Sequence, residues 1–144
     1  MPLELTPKEQ VIQRWLTKAR NDLESARRLL GDPMPIADTA CFHCQQAVEK
    51  SLKAVLILHE EEPPRIHALD ALFDAAGKFE GPLAEHRMDC VWLTAYAVET
   101  RYPDSIAEPT PERGRQALAA AEALYELVLD IVPQQTRPGE RHQS

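Results

Sequence analysis

Apolar residues recur at spacings of three and four through most of this chain, and proline punctuates the stretches in which they do so. This pattern constrains the fold more than any other feature. At about 100° per residue it draws an apolar stripe down one side of a helix, and no run alternates long enough to build a sheet. Thr6-Pro7-Lys8-Glu9 is a capping box with Pro at the first helical position. The Thr hydroxyl accepts from a free backbone N–H while Glu9 reaches back. Val11, Trp15, Ala19, Leu23, Ala26 and Leu30 follow at helical spacing until Gly31-Asp32-Pro33 ends the segment. A second helix is predicted from about Ile36 to about Glu60, closed by Pro63-Pro64. A short one fits His67 to Ala76, and Gly81-Pro82 opens another that continues to about Arg101. Ser105 to Pro109 reads as a loop, after which Thr110-Pro111-Glu112 repeats the first start signal for a last helix that stops at Pro133. The expected fold is all-α: an up-and-down four-helix bundle with an additional short helix, spanning residues 6–132. Residues 133–144 are polar and carry Pro and Gly, so a disordered tail is expected there.

At 144 residues and 44% apolar content, one hydrophobic core is the default. Charge interrupts every apolar stretch well before the roughly 20 residues of a bilayer span, so no membrane is expected as a partner. The N-terminal residues lack a basic flank with an apolar run, and we read the chain as cytoplasmic. Three cysteines, an odd number, fit a reducing compartment rather than a disulfide framework. A net charge of −7 opposes nonspecific phosphate binding, which requires Lys and Arg to displace counterions.

The most informative segment is Phe42-His43-Cys44-Gln45-Gln46-Ala47-Val48-Glu49-Lys50-Ser51-Leu52-Lys53-Ala54. On a helix, Phe42, Gln46, Glu49 and Lys53 share one stripe, with Gln45 and Lys50 beside it and Cys44, Val48, Ser51 and Val55 opposite. Two readings stand. One is a solvated face carrying a Glu49–Lys53 pair worth about 0.3 to 0.5 kcal/mol. The other is a polar groove, for which the adjacent glutamines speak, because amides spend donors and acceptors on specific partners. Cys41 and Cys44 are one helical turn apart, but a zinc site wants a second ligand pair, and we read them as small core residues. No metal site or cofactor is expected, and no Gly-rich phosphate loop or GxSxG element is found.

Ala19-Arg20-Asn21-Asp22-Leu23, Phe42 through Lys50, His67-Ala68-Leu69 and Arg101-Tyr102-Pro103-Asp104 together resemble the HEPN family, from about Lys8 to Ile131. The family's members are small helical bundles often encoded beside minimal nucleotidyltransferases. The resemblance implies the same bundle, paired as a homodimer. It also implies a role as toxin ribonuclease, as antitoxin or nucleotidyltransferase partner, or in binding nucleotide or substrate. Ribonuclease members carry an Arg, then about four to six intervening residues, then a His, a cation and a general acid/base at the scissile phosphate. Here Ile106, Ala107 and Glu108 stand where that His would be. The one literal match, Arg137 to His142, lies in the expected tail, so no catalytic residue is assigned. The expected function is a noncatalytic module that engages a nucleotide, RNA or a nucleotidyltransferase subunit. Its ligand residues would be Gln46, Lys50, Lys53, His67, Arg101 and Tyr102; a toxin-like endoribonuclease with an atypical site is the alternative. Each residue also has a plain structural reading. Arg101 and Tyr102 would cap and cover a helix end, His67 would bond locally at the start of the short helix, and Asp22 would need a cation, for which Arg101 is one candidate.

Overall fold

In the computed structural model, which describes residues 4–98 and 108–139, every regular element is helical. Helix α1 is Pro7–Gly31, α2 is Ala37–Leu58, α3 is Leu69–Gly77, α4 is Arg87–Cys90 and α5 is Pro111–Ile131. No strand occurs among the described residues. The predicted start signals operate as read. The Thr6 side chain accepts from the Glu9 amide while Glu9 accepts from the Thr6 amide, and the Thr110 side chain accepts from the Arg113 amide.

Helix α2 is the centre of the bundle and packs against α1, α3 and α5. Consequently Ala40, Cys44, Val48, Leu52 and Val55 are all fully buried within one core shared with Ile12, Leu16 and Leu23 of α1 and Leu124 and Val128 of α5. Its C-terminus is closed by Glu60, which sits at φ 61°, in the left-handed region, while the Glu61 amide donates back to the Leu56 carbonyl at 2.9 Å. That is a Schellman-type ending with glutamate where glycine is usual. Gly114 lets α5 approach the α1–α2 joint. A Cβ there would lie 2.7 Å from Leu30 Cδ2 and 3.5 Å from Ala37 Cβ.

The structure departs from the expected elements in three places. The helix foreseen from Gly81 to about Arg101 is segmented: 3₁₀ turns over Gly81–His86 and Val91–Tyr96 flank the single α-turn of α4. The Trp92 indole N–H donates to the Asp89 carbonyl at 2.8 Å, and Ala97 bonds back only three residues, to Thr94. A side chain that occupies a ladder acceptor, together with i→i+3 bonding, tightens the coil from α to 3₁₀. His67 lies outside α3, which starts two residues later, where the Thr94 hydroxyl accepts from the Leu69 amide at 3.1 Å. The third lies in the expected tail, of which residues 133–139 are described and 140–144 lie outside the described residues. Residues 134–136 form a 3₁₀ turn, with Val132 and Thr136 buried. Arg137 donates to the Leu129 carbonyl and to Asp130, and Gln135 donates to Glu9. Composition suggested solvent, but these polar side chains meet specific partners on α1 and α5.

Candidate functional site

The site is built on the seam between α1 and α2. Lys8, Trp15 and Asp22 are spaced by seven residues, two helical turns, so all three present to the same neighbour. Lys8 Nζ donates to the Leu58 carbonyl at 3.2 Å; Trp15 has Lys53 Nζ over its ring at 5.6 Å; Asp22 meets Lys50 and His43. Contacts that fall along α2 as they rise along α1 make the pair an antiparallel hairpin.

Two polar clusters occupy this seam. In the first, Asp22 Oδ2 accepts from Lys50 Nζ at 2.6 Å and Asp22 Oδ1 stands 2.8 Å from His43 Nδ1. The Asp22 side chain is nearly buried, and both partners are largely covered. The cation that Asp22 requires is therefore Lys50, in a pair closed within the hairpin. In the second cluster, Glu49 is only 4% exposed and Gln45 not at all. Glu49 Oε1 lies 2.7 Å from His67 Nδ1, and Glu49 Oε2 accepts from Lys53 Nζ at 3.4 Å. Gln45 Nε2 donates to the His67 main-chain carbonyl at 3.2 Å and to Glu49 at 3.4 Å, while its Oε1 accepts from Gln46 at 2.7 Å. Gln45 thus satisfies its donors and its acceptor inside the protein, as a buried amide must.

This geometry removes the solvated-face reading of the α2 stripe. Its members are buried or half-buried, and the Glu49–Lys53 pair foreseen from spacing forms in the interior rather than in water. Of the sequence-predicted ligand residues, Gln46, Lys53 and His67 come together in the second cluster, and Lys50 joins the first. Lys53 is 8% exposed and has little surface to offer a ligand. His67 is the open member: its side chain is 59% exposed, its Nδ1 is committed to Glu49, and its carbonyl is held by Gln45. Its bond is therefore not local but reaches α2. Arg101 and Tyr102 lie outside the described residues. Asp70 pairs with Arg87, which also holds Asp74 below the ordinary carboxylate range through a hydrogen bond.

Trp15, His43 and Gln45 carry more of the site than the sequence reading assigned them; the seven-residue step from Trp15 to Asp22 was the available signal. Cys41 and Cys44 are core residues, as expected. Burial pushes the Cys90 thiol up to about 12 and the Cys44 thiol up as well. Among the described residues, no three His, Cys, Asp or Glu side chains converge to hold a metal ion, and no helix is long and apolar enough to cross a membrane.

A model of the HEPN domain matches residues 12–132, most of the chain. The chain belongs to the HEPN domain family. A crystal structure of an archaeal HEPN homologue is 25% identical with a TM-score of 0.66, covering 83% of this chain and 96% of that one. A crystal structure of a Thermus thermophilus protein is 26% identical with a TM-score of 0.68, covering 85% of this chain and 99% of that one. No curated protein matches the chain. The HEPN match begins at Ile12 and ends at Val132, so it contains both polar clusters and leaves the ordered turn after Val132 outside it.

Proposed function

We propose that this HEPN domain is a noncatalytic binding module that works in the cytoplasm as a homodimer and engages a nucleotidyltransferase subunit. One observation carries the reading: Asp22 and Glu49 already hold the lysines a phosphate site would need, Lys50 at 2.6 Å and Lys53 at 3.4 Å. A phosphate approaching them would draw the lysines away from two nearly buried carboxylates, and leaving a buried charge short of its cation costs several kcal/mol. The net charge of −7 acts in the same direction against polyanions. A protein partner, met by His67 and Gln46, has no such opposition.

Native mass spectrometry of the tagged protein, recovered gently from its own cells, tests this. A heteromer with a nucleotidyltransferase subunit is the expected result, and Arg101→Ala should weaken it. Retention of the complex by that variant removes Arg101 from the site, and a bare homodimer removes the partner.

The Glu49–His67 pair favours a second reading. An exposed imidazole whose Nδ1 is held by a buried carboxylate is arranged as general bases are. Under it, the protein would be an endoribonuclease using His67 with Arg101. Incubation with total RNA decides: intact RNA supports the binding module, whereas discrete fragments abolished by His67→Ala establish the enzyme.

A further inference from the structure

Helix α1 presents three faces. Its core face carries Ile12, Leu16 and Leu23. A second side, near Glu9, Gln13 and Arg20, is covered by the ordered C-terminal turn, through Gln135 on Glu9, the Arg137 carbonyl on Gln13 and the Gly139 carbonyl on Arg20. At about 100° per residue, Val11, Arg14 and Lys18 fall on the side of α1 away from that turn. There they line, with Trp15, an open cleft of about 280 Å³.

The chemistry of this cleft is mixed in a particular way. Its floor is Val11 and the Trp15 indole, and the exposed Arg14 and Lys18 flank it. Lys53, held by Glu49, lies over the same indole. The cleft is smaller than the roughly 300 to 1,000 Å³ of small-molecule sites and too open to enclose one. It suits a single apolar side chain. Two exposed cations give the rim the sign opposite to that of the whole chain, which selects an acidic partner, and complementary rims steer and orient association.

We propose that this cleft is a docking site for an acidic segment of a partner protein, which seats one apolar side chain on Trp15 and Val11 and sets its carboxylates against Arg14 and Lys18. The inference rests on the reading of the domain as a partner module and locates one of its contacts. Two flanking cations are too few for a nucleic-acid track on a chain of net charge −7. Because Arg14 and Lys18 are exposed, replacing them leaves the folded core untouched, whereas a Trp15 substitution would disturb Lys53.

The test uses the full chain carrying Trp92→Phe, so that Trp15 is its sole indole emitter. The probes are a short synthetic peptide of Asp and Glu with one central Leu, the same peptide with Ser in place of Leu, and a single-stranded oligothymidylate. Expected are a saturable change in Trp15 emission with the Leu peptide, affinity for the Ser peptide lower by about tenfold, and a similar loss in Arg14→Glu/Lys18→Glu. No saturable change, equal response to both peptides, or indifference to the double substitution overturns the proposal. A response to the oligonucleotide alone overturns it in favour of a nucleic-acid surface. A native heteromer that survives the double substitution overturns the docking site and leaves the module reading standing; peptide docking without any heteromer does the reverse.

Discussion

The residues that hold this molecule together at its charged seam are the ones most sensitive to single changes. Lys50→Ala leaves the nearly buried Asp22 with His43 alone, and we expect a loss of about 2 to 4 kcal/mol of stability, measured by denaturant unfolding. The double variant Asp22→Leu/Lys50→Met should recover most of it, since apolar groups of similar volume remove the stranded charge. A loss under about 1 kcal/mol in the single variant would mean that Asp22 is solvated well enough to stand alone. The stripe of Phe42, Gln46, Glu49 and Lys53 was legible in the sequence because helical spacing fixes which side chains share a face. That it is buried was not legible, because burial depends on which helices surround α2. Nor was the Asp22–Lys50 pair, whose members are separated by 28 residues and meet only through the hairpin register.

Elements were read most securely where the termini are signalled chemically. The capping box of α1, the Thr110 cap of α5 and the prolines at their first positions placed both starts. The segment between Gly81 and Tyr96 was misread as one helix because its apolar spacing is helical. Its last part, Val91–Tyr96, carries a side-chain hydrogen bond, Trp92 to the Asp89 carbonyl, that periodicity does not register. The end of α2 offers a prediction at this scale. Glu60 occupies a left-handed position that disfavours a Cβ, and Glu60→Gly should stabilise the protein by about 0.5 to 1 kcal/mol, seen as a raised thermal midpoint. The exposed Lys8–Glu60 pair that it removes, at 3.6 Å, is worth less than that. A lowered midpoint would show that the pair matters more than the backbone conformation.

For the molecule as a whole, the C-terminal turn joins the last helix to the first. Deleting residues 133–144 uncovers α1 beside Gln13 and frees the Leu129 carbonyl that Arg137 caps. The deletion should cost about 1 to 2 kcal/mol, or roughly 3 to 8 °C of melting temperature. An unchanged melting curve would show the turn to be ornamental.

Across that whole, the seven-residue ladder of Lys8, Trp15 and Asp22 bears on the alignment of the hairpin. Apolar residues alone tolerate a hairpin slipped by one helical turn, since Leu, Ala and Val exchange places at small cost. Here such a slip would carry Asp22 past Lys50 and leave the nearly buried Asp22 without its cation. Misaligned pairings are thereby raised in free energy above the native one, and the charged seam narrows the folding funnel to a single register.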